Sequence, residues 1–340
     1  MNIETKCIDT IRCLSMDAVQ KANSGHPGTP MALAPAAFAL WTEHLKYNPK
    51  NPNWFDRDRF VLSNGHACML QYSILHLTGY DISLDDIKNF RQFDSKTPGH
   101  PEHGLTPGIE TTTGPLGQGI MNAVGMAIAE AHLAALFNKE EKIVDHYTYV
   151  FCGDGDLMEG ASHEAGSLAG HLGLGKLICL YDDNHISIEG DTNIAFTDDT
   201  AKRFEAYNWQ VIDLGDKGND VKAISEAFTE AKKVTDKPTM ILLRTHIGFG
   251  SPHKQDTASA HGSPLGDEEI KLTKKFYGWP EDEKFLVPDD VKTYMSKEIE
   301  KGLKAEQDWN ATIEKYKTKN ADLYTTFEQY LSQTLPVGWG

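Results

Sequence analysis

The tripeptide Gly153-Asp154-Gly155 follows directly on the apolar run Tyr147 to Cys152. Glycines on both sides of an acid let the backbone come close to an anion, and Gly155 is free to take a positive φ. Thirty residues later Asn184 closes the next apolar run, in Asp182-Asp183-Asn184-His185-Ile186. If the two runs are neighbouring parallel strands, their tips lie about 5 Å apart. The Asp154 carboxylate, the Asn184 side-chain oxygen and one nearby backbone carbonyl would then give three hard oxygen ligands. Two diphosphate oxygens and a water would complete a six-coordinate Mg²⁺ or Ca²⁺. Taken singly, Gly-Asp-Gly is a tight turn and Asn184 a cap; the joint placement at successive strand ends, one crossover apart, is what points to a metal.

Of the 14 histidines, His26, His66, His100 and His261 stand in segments rich in glycine and proline that read as loops. None has a zinc spacing with cysteine or lies in a His-Glu-x-x-His helix. A single loop histidine is usually just solvated. Four of them suit a polar cluster that handles hydroxyls and phosphates, because neutral imidazole donates at one nitrogen and accepts at the other. Gly114-Pro115-Leu116 forms a turn ahead of a helical segment from Gly119 to Phe137. Glu159 and Glu164 fall at the start of the helix expected after Asp154, where acids suit the helix dipole.

The elements that must position these residues alternate. Phe60 to Leu62, Tyr147 to Cys152, Leu177 to Tyr181, Gln210 to Leu214 and Thr239 to Leu243 read as buried parallel strands. Between them lie the helical segments Ala67 to Leu77, Gly119 to Phe137, His163 to His171, Thr200 to Tyr207 and Val221 to Val234, with Ile3 to Ala22 and Met31 to Leu45 ahead of the sheet. The fold class this predicts is α/β, a doubly wound parallel sheet with helices on both faces. After about Tyr277 the pattern changes: Gly278-Trp279-Pro280 breaks the chain, Val291 to Leu331 is mostly helical in pattern, and Leu335 to Gly340 resembles a linker.

The 340 residues suffice for one large or two medium domains, and 40% apolar with 24% charged residues is an ordinary globular mix. A net charge of −16 argues against nucleic acid or an anionic membrane surface as partner. The apolar stretch Ile120 to Phe137 contains Glu130 and His132 and reads as a buried domain helix rather than a membrane span. The N-terminus, with Glu4 and Asp9, does not look like a signal peptide. Five scattered cysteines without a C-x-x-C pair suggest a reducing, cytoplasmic location, with Cys152 and Cys179 as small apolar strand residues.

Gly153-Asp154-Gly155 through Asn184 is similar to the signature of thiamine diphosphate enzymes. Ser24 to Gly28, Leu62 to His66, Thr113 to Gly119, Gly153 to Gly160 and Phe196 to Trp209 resemble transketolases specifically. The resemblance implies the thiamine diphosphate-binding fold, with residues 1–280 as the diphosphate-binding domain and 281–340 as a helical extension leading into a linker. It implies the Ile186 carbonyl as third metal ligand beside Asp154 and Asn184, with Mg²⁺ or another divalent cation such as Ca²⁺. It implies that His66, Gly155, Asn184 and His261 contact the cofactor diphosphate and that Gly114, Pro115, Leu116, Ile188 and Ile247 surround its ring. His26, His100 and His261 would be catalytic, holding sugar hydroxyls and moving protons. Glu159 and Glu164 would lie at a homodimer interface.

The implied activity is transfer of a two-carbon ketol unit between sugar phosphates of the xylulose 5-phosphate and ribose 5-phosphate class, in the pentose phosphate pathway. In this family a glutamate on a second α/β domain activates the aminopyrimidine. No second array of alternating strands and helices is visible in the chain, so the second and C-terminal domains are expected to be absent and the chain alone inactive. It would be a fragment, or a subunit of a split transketolase or dihydroxyacetone synthase-like enzyme; a non-catalytic cofactor-binding module is the alternative from another class.

Overall fold

The computed structural model describes residues 2–332, 334 and 335. Of the linker-like ending, everything after Leu335 lies outside the described residues. The strands are β1 (Arg59–Leu62), β2 (Thr148–Gly153), β3 (Leu177–Asp183), β4 (Ile186–Ser187), β5 (Gly190–Asp191), β6 (Gln210–Asp213) and β7 (Thr239–Arg244). The helices are α1 (Ile3–Ala22), α2 (Gly28–Ala39), α3 (Cys68–Leu77), α4 (Leu84–Lys88), α5 (Gln118–Phe137), α6 (Asp154–Met158), α7 (Gly160–Leu172), α8 (Thr200–Ala206), α9 (Val221–Ala231), α10 (Asp267–Phe276), α11 (Asp289–Met295), α12 (Lys297–Lys319) and α13 (Ala321–Ser332).

The five runs read as strands from the sequence form one sheet in the order β1-β2-β3-β7-β6, and every pairing is parallel. Side chains alternate across it, as the strand pleat requires. Phe60, Tyr149, Phe151, Ile178, Leu180, Ile241 and Leu243 face a layer built from α1, α2, α3 and α9. Val61, Val150, Cys152, Cys179, Tyr181, Met240 and Leu242 face α5, α7 and α8. All five cysteines are buried and unpaired. The short antiparallel hairpin β4–β5 stands apart from this sheet, beyond the tip of β3.

Local chemistry sets the element ends. The Asn2 side chain accepts from Thr5 N to start α1, and Asn23 stops it in the left-handed conformation at φ 50°. The segment expected from Met31 to Leu45 is instead two pieces. It begins at Gly28 and ends in a π turn, Leu40–His44, closed by Leu45 N donating to Leu40 O at 2.8 Å. Asp154 does not sit in an open turn but begins the one-turn helix α6.

The helices after residue 280 pack onto the same body. Val291 and Met295 join the core of α1 and α2, while Ile313, Tyr316 and Phe327 cluster with Phe137, Ile143 and Val144. The expectation of a buried helix at 120–137 needs correction. By length and composition α5 could cross a membrane, yet in the fold Ile120, Ala123, Val124 and Ala127 pack on the sheet. Only 33% of its most apolar stretch is buried, and Met121 and Leu136 are exposed, as are Leu168 and Leu172 of α7.

Phe151 is fully buried at the centre of β2 and packs edge-on against Phe60, ring centroids 5.0 Å apart. Phe151→Ala is expected to cost about 3–5 kcal/mol, from lost transfer energy plus the cavity left behind. Denaturant unfolding checks this; a loss below about 1 kcal/mol would show that the sheet is not packed as described.

Candidate functional site

The register pairs Gly153 of β2 with Asp182 of β3, so Asp154 and Asn184 leave adjacent strand tips on the carboxyl edge of the sheet. That edge is where open α/β sheets bind ligands. A cavity of about 350 Å³ opens there. His26, Asn64, His66, His100, Gly114, Leu116, Gly153, Asp154, Gly155, Asn184, Ile186, Ile188 and His261 line it. The structure thus brings together most residues singled out from the sequence, although they come from six separate segments of the chain.

Four singled-out residues stand elsewhere. Pro115 is exposed and outside the cavity lining. Ile247 is fully buried behind the wall, 2.6 Å from where a side chain on Gly28 would begin. Glu159 and Glu164 are exposed on the outer surface. Glu159 is the residue preceding α7, and the first turn of that helix holds no acid, so the helix-dipole reading does not hold for Glu164. Gly155 also differs from expectation: its φ is not positive, because it sits inside α6. Its value is space, since a Cβ there would meet Leu116 Cδ1 at 2.7 Å.

Buried polar contacts hold the loops in place. Asp156 accepts from Ser63 Oγ at 2.7 Å, Gly117 N at 2.7 Å and Gly153 N at 2.9 Å, joining the tips of β1 and β2 to the Gly114–Leu116 turn. A Cβ on Gly28 would meet Ala260 O at 2.4 Å, so the His26 and His261 loops touch because that residue has no side chain. Asp182 accepts from Asn184 Nδ2 at 2.8 Å and from the Thr245 hydroxyl. Those contacts fix the Asn184 amide with Oδ1 on the opposite side, where it accepts from Ile186 N at 2.9 Å.

The Tyr181 hydroxyl engages Asp154 Oδ1, but Oδ2 is buried without a partner among the described residues. Burial, assisted by the neighbouring Asp182 and Asp183, pushes the Asp154 carboxyl up to about 8, against the opposing pull of the Tyr181 hydrogen bond. A carboxylate so placed fits a cation. Among the described residues no three His, Cys, Asp or Glu side chains converge to hold a metal by themselves. The Asp154 carboxylate and the Asn184 amide oxygen, leaving adjacent strand tips, are hard oxygen donors of the kind a divalent ion takes.

Opposite Asp154 the histidines cluster. Ring centroids are 4.8 Å apart for His26 and His66, 5.2 Å for His66 and His261, and 5.5 Å for His26 and His261. His100 lies beside Gly114 at the rim. Burial lowers His26 to about 4, aided by the nearby His261, Arg91 and His100. Burial likewise drives His66 well below its ordinary value and lowers His100 and His261. All four are neutral donor–acceptor pairs at pH 7. Asn64 Oδ1, His26 Nδ1 and His261 Nδ1 have no partner among the described residues. With Asp154 Oδ2 these make four of the sixteen buried side-chain atoms that lack a partner among the described residues, and all four belong to residues that line this one cavity.

The family described as "Transketolase, thiamine diphosphate binding domain" matches residues 3–336. The chain is 60% identical over 340 residues to a transketolase of Nostoc sp., covering 99% of this chain and 51% of that protein. It is 59% identical over 333 residues to transketolase 2 of Escherichia coli, covering 97% and 49% respectively. The crystal structure of a Pichia stipitis transketolase in complex with sedoheptulose 7-phosphate superposes with a TM-score of 0.97 at 50% identity, over 100% of this chain and 50% of that one. The chain thus spans about half the length of the curated relatives it matches.

The histidine environment has a pH consequence. His26 holds its proton only below about 4 when folded, against an ordinary value of 6.5. Between those values the unfolded chain binds more protons, so the stability contributed is full above 6.5 and is lost as pH falls toward 4. Histidine Cε1 NMR titration is expected to show His26 neutral throughout pH 6–8, and melting temperature should fall less between pH 7 and 5 in His26→Asn than in the parent. A His26 midpoint near 6.5 would contradict the buried, crowded site.

Proposed function

This chain belongs to the transketolase family, and from that premise we propose that it supplies the diphosphate- and metal-binding half of a thiamine diphosphate-dependent ketol transferase. The observation that carries the reading is the convergence of buried, unpartnered polar atoms on one cavity at the sheet's carboxyl edge. Asp154 Oδ2, Asn184 Oδ1 and the Ile186 carbonyl would hold Mg²⁺, or Ca²⁺ in its place, together with two diphosphate oxygens. His66 and His261 would donate to the diphosphate, and Gly155 leaves the backbone room to approach it. Gly114, Leu116 and Ile188 would cover the ring of the cofactor, with Pro115 and Ile247 behind them.

When bound, thiamine diphosphate supplies a nucleophilic carbon and an electron sink for breaking a carbon–carbon bond. The chain's own residues bind, orient and handle protons. His26, His100 and His261, kept neutral, can hydrogen-bond the hydroxyls of a sugar and accept or return a proton at a ring nitrogen. The Pichia stipitis enzyme has been seen with sedoheptulose 7-phosphate and fructose 6-phosphate, and we assign the same class here: a ketose phosphate donor such as xylulose 5-phosphate and an aldose phosphate acceptor such as ribose 5-phosphate, in a cytoplasmic pentose phosphate pathway.

Residues 1–280 form the diphosphate-binding unit in this reading, and 281–340 its helical extension. The glutamate that activates the aminopyrimidine in this family would come from outside these 340 residues. The exposed apolar side chains Met121, Leu136, Leu168 and Leu172 would be covered in a homodimer, with Glu159 and Glu164 also at its interface. An exposed patch of that kind usually marks an interface.

Calorimetric titration with thiamine diphosphate is expected to show binding that requires a divalent cation and is abolished by chelator. Asp154→Ala should weaken it by at least about tenfold. Binding that is indifferent to both chelator and Asp154→Ala would remove the metal-site assignment. The purified 340-residue chain alone should give no ketol transfer from xylulose 5-phosphate to ribose 5-phosphate; robust turnover would overturn the half-site reading.

A further inference from the structure

Tyr181 lies on β3 with 3% exposure, on the sheet face opposite that of Asp182. Its hydroxyl reaches Asp154 Oδ1 and stands 3.1 Å from Asp183 Oδ1. That same Asp183 oxygen lies 3.1 Å from His185 Nε2. His185 has φ +63° and opens the β4–β5 hairpin, its carbonyl accepting from Thr192 N at 2.9 Å. The contacts form a continuous line from a buried carboxylate at the tip of β2, through a phenol, to the loop that carries Ile186 and Ile188 along the cavity rim.

We propose that Tyr181 is a positioning residue: its hydroxyl has one proton to give and two carboxylate oxygens in reach, and by sharing it between Asp154 Oδ1 and Asp183 Oδ1 it holds Asp154 with Oδ2 bare and links the tip of β2 to the Asp183–His185 segment that opens the hairpin. The proposal rests on the cavity being the diphosphate and metal site. Three observations carry it. An unrestrained carboxylate rotates about its terminal torsion, and a single hydrogen bond to one oxygen selects which oxygen remains available. The hairpin pairs only Ile186 with Asp191 and Ser187 with Gly190, and a ribbon so short is not stable alone. Ile188 at its turn and Ile194 just after it are 66% and 74% exposed, so little apolar burial anchors it. His185 holds a positive φ, and its Nε2 stands 3.1 Å from Asp183 Oδ1, the oxygen that Tyr181 also faces.

Packing alone would give Tyr181 a different signature, because phenylalanine keeps the ring and removes only the hydroxyl. Hydrogen exchange on the ligand-free chain is the first arm. Tyr181→Phe and, separately, Asp183→Ala should raise exchange across residues 185–194 by on the order of tenfold, with β2 and β7 unchanged. The second arm is calorimetric titration with thiamine diphosphate at graded Mg²⁺. In Tyr181→Phe the Mg²⁺ concentration for half-maximal binding should rise about tenfold, while saturating Mg²⁺ restores the parent affinity.

Unchanged exchange in both variants overturns the tie. A binding loss that saturating Mg²⁺ does not restore overturns the positioning role in favour of plain packing. If Tyr181→Phe fails to fold, Asp183→Ala decides the hairpin arm, since it leaves Tyr181 and Asp154 in place. If the parent chain binds no thiamine diphosphate with Mg²⁺, the cavity assignment falls and the exchange arm alone decides whether Tyr181 restrains the hairpin.

Discussion

The carboxylate of Asp156 is fully buried, and three separate segments donate to it. Ser63 brings the tip of β1, Gly153 the tip of β2, and Gly117 the turn that carries Gly114 and Leu116. Burial raises its pKa, while the donated hydrogen bonds from Gly117, Gly153 and Ser63 oppose that rise. Removing any donor would leave a buried acceptor short of a partner, at about 1–3 kcal/mol. The Ser63 hydroxyl also accepts from Ile120 N at 3.2 Å, so the start of α5 hangs on the same group. Glycine at 119 makes this possible, since a Cβ would stand 2.5 Å from Ser63 Cα. The cavity's place and shape follow from this knot. The polar atoms left unpaired around it are those that the fold's own hydrogen bonding does not reach.

The chain is acidic, yet the proposed ligand is an anion, and the composition of the site reconciles the two. With a net charge of −16, the molecule offers no broad cationic field. The cavity instead places neutral imidazoles and amide groups on one side and a single unpaired carboxylate oxygen on the other. In the proposed reading the positive charge that balances a diphosphate arrives with the ligand, as a divalent ion held by Asp154. The histidines then serve as directional donors and acceptors. Arg91, close enough to help depress His26, His66 and His100, reinforces their neutrality.

Much of the architecture was legible in the sequence. β-branched and aromatic runs bounded by glycine marked all five strands of the sheet, within two residues at each end. A buried parallel strand has to be apolar on both faces, which makes it a strong local signal. Strand adjacency, needed to bring Asp154 near Asn184, was only a condition in the sequence, and the β2–β3 register meets it. Tyr181, Asp182, Thr245 and Asp156 were missed, because nothing in their local pattern distinguishes a buried polar support from a core or turn residue. Tyr181 reads as one more aromatic in a strand, and Asp156 as a turn acid. Asn64, which contributes a bare oxygen to the cavity, could have been found from its place in Ser63-Asn64-Gly65-His66 directly after β1. The solvent face of α5 was misjudged because composition reports how apolar a helix is and not how much of it has a neighbour.

The alternation of side chains along β3 has an evolutionary corollary. Tyr181 reaches Asp154 on one face of the sheet while Asp182 braces Asn184 from the other. Because the pleat repeats every two residues, inserting or deleting one codon between Leu177 and Asn184 would exchange the two faces and undo both supports at once. Point substitutions there can be sampled one at a time, but single-residue length changes cannot. Length variation among descendants of this gene should therefore gather in the surface connections, such as the mostly exposed stretch between β6 and α9, where an added residue shifts no parity.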